Sequence, residues 1–243
     1  GSLVAHLEGT RDRLGPLWDL HFQIVRAAYG AMNKLNDYYK ELFADHKPFD
    51  APRLYQGFDN LTLAMGRAQW DLSRQVKDSP GLSKIFAEND VADIPTALKA
   101  APEGADFGAA LAAYLTTYGQ RGDMWGIRFK SWIEDPSPVL RNIKDYLGDN
   151  RDPRQGLAAL AAQRQEAIEG VRAHLQGYPQ KSADEFERLL KLAETGVVLS
   201  EDHGFWIDFT CSYKVRRLLM RFGQHFVRSG AIEAAEDVFY FTF

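Results

Sequence analysis

Apolar side chains return at helical spacing along most of the chain, and most clearly near its end. In the last long segment they are Phe205, Phe209, Tyr213, Leu219, Phe222 and Phe226. These spacings keep returning to one side of a 3.6-residue helix. Gly230, just after Arg228, is typical of a helix end. The pattern predicts one long helix from Leu199 to about Gly230.

Proline, serine and glycine divide the rest of the chain into further helical segments. The predicted helices cover residues 16–43, 54–76, 80–87, 95–100, 107–118, 136–147, 153–176 and 182–195. Ser182 and Glu185 have the spacing of a capping box at the start of the last of these. The one candidate for a short strand is the closing run VFYFTF, 238–243. We therefore predict an all-α fold, an irregular bundle of long and short helices, with residues 16–243 as a single domain.

Composition excludes several classes of protein. The 243 residues are 45% hydrophobic and 26% charged with a net charge of −4, which is ordinary globular composition without a nucleic-acid-binding signature. No apolar run has the length of a membrane span. The single cysteine, Cys211, suits a reducing compartment, so we expect a cytoplasmic protein. Gly1-Ser2 resembles a cloning scar, and we expect residues 1–15 to be scar and leader in front of an excised domain.

Two segments concentrate polar and aromatic residues. The first, 119–136, is a glycine-containing loop that holds Trp125, Trp132 and three basic residues. Such a loop indicates a binding surface, although both tryptophans would also serve to pin it to the core. The second segment, near the start of the last helix, places Glu201, Asp202, His203, Trp206 and Asp208 within two turns. Burying these groups costs free energy unless each has a partner, so the segment is either a site or an ion-paired core link.

Familiar catalytic motifs are missing from the sequence. It contains no GxxxxGK[ST] or GxGxxG phosphate loop, no pair of Glu-x-x-His motifs and no Gly-x-Ser-x-Gly elbow. Glu201, Asp202 and His203 are consecutive and point around a helix, so we predict no metal site. The cations Lys214, Arg216, Arg217 and Arg221 indicate a solvated or domain-facing basic side of the last helix.

Four segments in order resemble the helical region of phosphotransferases related to phosphoenolpyruvate synthase, rifampicin phosphotransferase and phenylphosphate synthase. They are LWDLHF at 17–22, YGQRGDMWGIRFKSWIEDPSPVL at 118–140, LSEDHGFWID at 199–208 and EDVFYFTF at 236–243. Their order and spacing extend the resemblance over nearly the whole chain after residue 15.

The resemblance implies a division of labour between domains. In that family an ATP-grasp domain, with ATP and Mg²⁺, phosphorylates a histidine on a swivelling domain, which carries the phosphoryl group to an acceptor. The helical region binds the acceptor. Since this sequence has neither an ATP-grasp portion nor a carrier-histidine motif, it would be the acceptor-binding domain alone. It would hold no cofactor itself, be inactive in isolation and depend on those two partner domains.

An aromatic or phenolic acceptor would need flat apolar walls and a group that removes its hydroxyl proton. We expect a pocket between the last helix and the 119–136 loop, with His203 as general base and Arg121 as the cation that meets the phosphoryl group. The predicted acceptor-binding residues are Tyr118, Trp125, Phe205, Trp206, Asp208, Phe209 and His21.

Other interpretations stay open from the sequence. The alternative for His21 is a hydrogen-bonded core histidine, and the alternative for His203 is a residue that only ties its helix to its neighbours through hydrogen bonds. The chain as a whole could also be a non-catalytic helical module that binds a small molecule or a protein partner.

Overall fold

The predicted helical periodicity is present in the computed structural model, which describes residues 3–44 and 48–241. These residues form nine α-helices and no strand, which confirms the all-α class. The helices are α1 Leu3–Leu42, α2 Leu61–Asp78, α3 Pro80–Glu88, α4 Ile94–Ala100, α5 Gly104–Tyr118, α6 Ser137–Tyr146, α7 Pro153–Leu175, α8 Gln180–His203 and α9 Thr210–Arg228. Two 3₁₀ helices, Ala51–Tyr55 and Ala235–Tyr240, and a π-helical segment, Gly204–Phe209, complete the regular structure.

Several helix ends follow the capping chemistry expected from the sequence. The Ser79 hydroxyl accepts a hydrogen bond from the Leu82 backbone N–H at the start of α3, and Asp152 accepts one from Arg154 at the start of α7. Just after the C-terminal end of α9, Gly230 has a φ of +73°, a backbone conformation that glycine adopts without strain.

Other predicted boundaries were wrong. Helix α1 begins at Leu3 and continues through Pro16, although proline at that position removes one backbone donor. Helix α8 begins at Gln180, so Ser182 lies inside its first turn rather than at its cap. It also does not end at Gly196. A Cβ built on Gly196 would lie only 3.0 Å from the backbone oxygen of Ala28, so this glycine permits close contact between α1 and α8.

The predicted strand at the end of the chain is also wrong within the described residues. Residues 235–240 form a 3₁₀ helix, and 242–243 lie outside the described part. The 3₁₀ helix packs on α9, where Gly223 leaves room for the Ala235 backbone. A Cβ on Gly223 would lie 2.1 Å from the Ala235 carbonyl oxygen. Contact with α9 therefore determines the conformation of this aromatic run.

The chain divides into two compact units, each built from separated segments. Unit 1 comprises residues 1–14, 68–150 and 205–243, and unit 2 comprises residues 15–67 and 151–204. The single-domain prediction for 16–243 is not tested by this division and stays a prediction. Among the described helices, none has the length and apolar character needed to span a bilayer.

Each unit has its own buried apolar side chains. In unit 2 the core is formed by Met32, Leu35, Tyr39, Leu54, Ala167, Ile168, Val171, Leu175, Phe186, Leu189, Leu190 and Ala193. In unit 1 the buried set includes Leu72, Val76, Leu82, Phe86, Ile94, Leu98, Phe107, Leu111, Val139, Leu140 and Ile143. Unit 1 also contains a series of side-chain hydrogen bonds, in which the Gln69 amide donates to the Tyr114 hydroxyl and accepts from the Asn142 amide.

Candidate functional site

The 119–136 loop of unit 1 folds back on itself through its own backbone. The Trp132 N–H donates to the Arg121 carbonyl oxygen at 2.8 Å, and the Ile133 N–H donates to that of Gly119 at 3.0 Å. The Trp132 indole donates to Asp123 at 2.8 Å and is only 7% exposed. Of the two roles considered for Trp132, pinning the loop is therefore the correct one. Trp125, by contrast, is 63% exposed.

A buried ion pair attaches this loop to α9. The Arg216 guanidinium Nε donates to the Glu134 carboxylate at 2.8 Å, and its Nη1 donates to the Arg128 carbonyl oxygen at 2.8 Å. Arg216 is 1% exposed, so the solvated location that the sequence allowed for it is wrong. Sequence reasoning named Arg216 among the cations of this helix but missed its ion pair with Glu134.

The electrostatics of Glu134 follow from its partners. Burial raises the pKa of this carboxyl, but hydrogen bonds from the Ser131 backbone and the Arg216 guanidinium outweigh that effect and leave the pKa below its ordinary value. Glu134 also accepts from the Ser131 hydroxyl at 2.9 Å. The carboxylate is therefore charged at neutral pH and joins the end of the loop to α9.

A π-helical turn, Gly204–Phe209, precedes α9. At its end the Thr210 hydroxyl donates to the Phe205 carbonyl oxygen at 3.0 Å. Such wider turns are rare and frequently occur at functional sites. Within this turn Trp206 is 60% exposed, whereas Asp208 is 2% exposed. Residues 204–208 of this turn belong to the LSEDHGFWID segment that sequence reasoning singled out.

Most of the predicted aromatic residues lie in unit 1 and form two short series of ring contacts. In the first, the Tyr118 ring lies 6.4 Å from Phe205, whose ring lies 5.0 Å from Trp206. In the second, the Trp125 ring lies 5.1 Å from Phe209, and the Arg121 guanidinium lies 5.0 Å from the same phenyl ring. The structure therefore brings Arg121, Trp125 and Phe209 together.

The cleft expected beside these residues is nearly closed. Between the 119–136 loop and the start of α9 the cavity measures about 10 Å³, since the loop packs directly on the helix. It is lined by Gln120, Gly122, Met124, Gly126, Phe129, Lys130, Ser131, Phe209, Ser212 and Tyr213. A small-molecule pocket usually measures ~300–1,000 Å³. This cleft therefore has no room for an aromatic ligand, and the binding roles predicted for the aromatic residues stay predictions.

The two predicted histidines, His21 on α1 and His203 on α8, lie together in unit 2. Their ring centroids are 4.8 Å apart, and both side chains are half-buried. A ring nitrogen of one histidine lies within 4.8 Å of a ring nitrogen of the other. The structure thus pairs two residues that lie far apart in sequence.

The backbone fixes the tautomer of His203. Its Nδ1 lies 2.8 Å from the Leu199 carbonyl oxygen, which can only accept, so Nδ1 carries the proton in the neutral ring. The Nε2 lone pair is then available to accept a proton. The neighbouring acid, Asp202, accepts a hydrogen bond from the Leu61 N–H at 2.8 Å and caps α2.

An apolar groove lies between α1 and α8 in unit 2, one helical turn from the histidine pair. Its volume is about 310 Å³. It is lined by Gln23, Ile24, Ala27, Ala28, Ala31, Leu192, Thr195, Gly196 and Leu199. Sequence reasoning missed this groove, although the small residues Ala27, Ala28 and Ala31 on α1 could have indicated a close helix contact.

A larger cavity of about 450 Å³ lies at the α4–α5 hairpin of unit 1. It is lined by Pro95, Leu98, Lys99, Ala101, Gly104, Ala105, Gly108 and Leu111. None of the predicted site residues is among them. The groove of unit 2 is nearer in sequence to a predicted catalytic group than this cavity is, because Leu199 precedes His203 by about one helical turn.

Comparison with known proteins points to one family. A family model described as the rifampicin phosphotransferase fourth domain matches residues 20–201. The chain is 36% identical over 242 residues to chondramide synthase cmdD of Chondromyces crocatus, covering 99% of the chain and 6% of that protein. It is 27% identical over 233 residues to a rifampicin phosphotransferase of Streptomyces sviceus, covering 92% of the chain and 26% of that protein. It is 23% identical over 224 residues to the uncharacterized phosphotransferase YvkC of Bacillus subtilis, covering 92% of the chain and 27% of that protein. The chain thus spans about a quarter or less of the length of these relatives.

Proposed function

Because the chain belongs to the family of the rifampicin phosphotransferase fourth domain, we propose that this phosphotransferase-family domain binds the phosphoryl acceptor. The acceptor is a small aromatic or hydroxylated compound, and its hydroxyl oxygen receives the phosphoryl group. The phosphoryl donor is a phosphohistidine on a swivelling domain, which an ATP-grasp domain charges from ATP and Mg²⁺. Those two domains lie outside this chain, in the same polypeptide or in separate subunits.

The observation that carries the proposal is the fixed tautomer of His203. Attack of a hydroxyl on a phosphoryl group is faster when the hydroxyl proton leaves as the new P–O bond forms. Neutral imidazole is suited to accept that proton near pH 7. The Leu199 carbonyl oxygen holds the proton on Nδ1, so Nε2 acts as the base without a prior change of tautomer. The His21 ring lies beside it, with the two ring centroids 4.8 Å apart.

The roles of the remaining predicted residues are hypotheses taken from the sequence. Arg121 would neutralise phosphoryl oxygens, since a guanidinium offers several donors in one plane. Trp125 and Trp206 have the exposure that a stacking surface requires. Tyr118, Phe205, Asp208 and Phe209 would form or support that surface.

The test combines the chain with ATP-grasp and swivelling domains of the family and follows phosphoryl transfer from labelled ATP to phenol, 2-naphthol and rifampicin. We expect His203→Gln to lower turnover by about 10²-fold or more, because general-base catalysis contributes on that order. Acceptor affinity should fall by only a few-fold, on the order of one neutral hydrogen bond.

His225→Gln is the matched control, because His225 is exposed on α9 and has no proposed role. It should leave turnover unchanged. Labelling of the swivelling domain's histidine shows that the partner domains are active. With active partners, absence of transfer to every acceptor would exclude the proposed function, and full turnover of His203→Gln would exclude the base role.

A second candidate is a non-catalytic helical module that binds a small molecule or a protein partner. It is favoured by one observation: identity is higher to a chondramide synthase, at 36%, than to a rifampicin phosphotransferase, at 27%. In that case the domain would serve within a synthase and transfer no phosphate. Ligand binding without phosphoryl transfer in the same assay distinguishes it.

A further inference from the structure

We propose that the groove between α1 and α8 binds the apolar body of a hydroxylated aromatic molecule of one or two rings, with the hydroxyl at the His21–His203 pair. The inference rests on the proposed function only in identifying this ligand with the acceptor. The binding site itself lies wholly within unit 2.

The groove has the size and surface that such a ligand needs. Its volume of about 310 Å³ is at the lower end of the range typical of small-molecule pockets, ~300–1,000 Å³. Seven of its nine lining residues are Ile, Leu, Ala or Gly. Leu192 and Leu199, which line it on α8, are each 44% exposed. Covering these side chains with an apolar ring would remove them from water, which favours binding.

The floor of the groove is held by close contact between the two helices. The site for a Cβ on Gly196 lies 3.0 Å from the Ala28 carbonyl oxygen and 3.1 Å from the Ala28 Cα. Both residues are buried. Because neither residue has a large side chain, the groove stays open above this contact while the helices remain in register.

One end of the groove leads to the histidine pair. His21 precedes Ile24 by about one turn on α1, and His203 follows Leu199 by about one turn on α8. A turn of α-helix advances ~5.4 Å, so a ring between Ile24 and Leu199 would place a substituent oxygen near the imidazoles. The Nε2 of His203 is an acceptor for a hydroxyl proton in the tautomer fixed by Leu199. The polar end of the site thus selects a hydroxyl donor over a hydrocarbon.

The experiment measures binding of 2-naphthol to the intact 243-residue chain by its own fluorescence, with naphthalene as the analogue that lacks the hydroxyl. Ala27→Trp, at an exposed position that lines the groove, should weaken 2-naphthol binding by about tenfold or more, because the indole fills the site. Thr195→Trp fills the groove from α8 and should have the same effect. Ala173→Trp on α7, exposed and outside the groove, is the matched control and should leave the affinity within about twofold.

His203→Gln separates the polar end from the apolar body. It should weaken 2-naphthol binding by a few-fold, on the order of one neutral hydrogen bond, and leave naphthalene binding unchanged. Circular dichroism verifies that each variant is folded. Because the two groove variants are on different helices, the test remains valid if one of them does not fold.

Unchanged 2-naphthol affinity in the folded groove variants would overturn the inference, as would a parent chain that does not bind 2-naphthol at millimolar concentration. The binding assay needs no partner domain, so its outcome is separate from that of the transfer assay. Groove-dependent binding without transfer would exclude the proposed function alone. Transfer with the same KM in Ala27→Trp as in the parent would exclude the groove alone.

Discussion

Replacing Arg216 with methionine should release the 119–136 loop from α9 and destabilise the protein. Arg216 is 1% exposed and donates to Glu134 and to the Arg128 carbonyl oxygen. Methionine has a similar length but no donor, so the substitution leaves Glu134 without its cation and the loop carbonyl without its donor.

The magnitude follows from the burial of the two partners. Removing one partner of a buried ion pair costs ~3–5 kcal/mol, because the other charge stays buried without compensation. The Glu134 side chain is 25% exposed and keeps its hydrogen bonds from Ser131, so the loss of stability is moderated. We therefore expect a loss at the lower end, ~3 kcal/mol. For a chain of this length that corresponds to a fall in Tm of about 6–12 °C.

The assay is thermal and urea unfolding followed by circular dichroism. Arg221→Met on the same helix is the matched control, because Arg221 is exposed and its loss should change the free energy of unfolding by less than ~0.5 kcal/mol. The double variant Arg216→Met with Glu134→Leu should recover most of the stability, since replacing both members of a buried pair with apolar groups is often nearly neutral.

The same pair predicts a pH dependence. Because the folded-state pKa of Glu134 is lowered, its stabilising contribution is complete above the ordinary glutamate pKa, roughly 4, and is lost as the pH falls through the lowered value. In Arg216→Met the acid-induced loss attributable to Glu134 should be smaller. Equal stability of Arg216→Met and Arg221→Met, or an unchanged acid dependence, would refute the structural role assigned to the pair.

Three further predictions concern other parts of the chain. Gly196→Ala should lower the free energy of unfolding by ~1–3 kcal/mol, because the added Cβ would press on Ala28. Gly170→Ala should raise the free energy of unfolding by up to ~1 kcal/mol, because the space around Gly170 in α7 is open. Urea unfolding of both variants measures the difference. Trp206→Ala should change stability by less than ~1 kcal/mol, since the indole is 60% exposed, and a large loss by the same measurement would show it to be a core residue. The isolated chain should not bind ATP with Mg²⁺ in calorimetry, because its sequence has no phosphate loop, and micromolar binding would contradict this.

The sequence by itself determined the all-α class and the positions of most helices. The spacing of apolar residues and caps such as Ser79 and Asp152 act within one or two helical turns. They can therefore be recognised without knowledge of the fold. The order of the motifs also identified the family, which the match over residues 20–201 confirms.

Contacts between distant segments decided what the sequence alone could not. Gly196 resembles a helix stop in sequence, but its use is close contact with Ala28, a residue far away in the chain. The aromatic end resembles a strand, but packing on α9 makes residues 235–240 a 3₁₀ helix. Local patterns carry no information about which partner a residue will meet, and these two boundaries depended on the partner.

The same reason explains the outcome for the candidate site. The chemistry of His203 was legible from its sequence context, whereas its pairing with His21 and the groove beside it required α1 and α8 to pack together. Arg216 looks like one more cation on a basic helix until folding buries it against Glu134. The sequence gives the type of each side chain. The burial of a side chain and the identity of its partners depend on packing between segments that are far apart in the sequence. For that reason only the tertiary structure decided which charged and aromatic residues are structural and which remain accessible to a ligand.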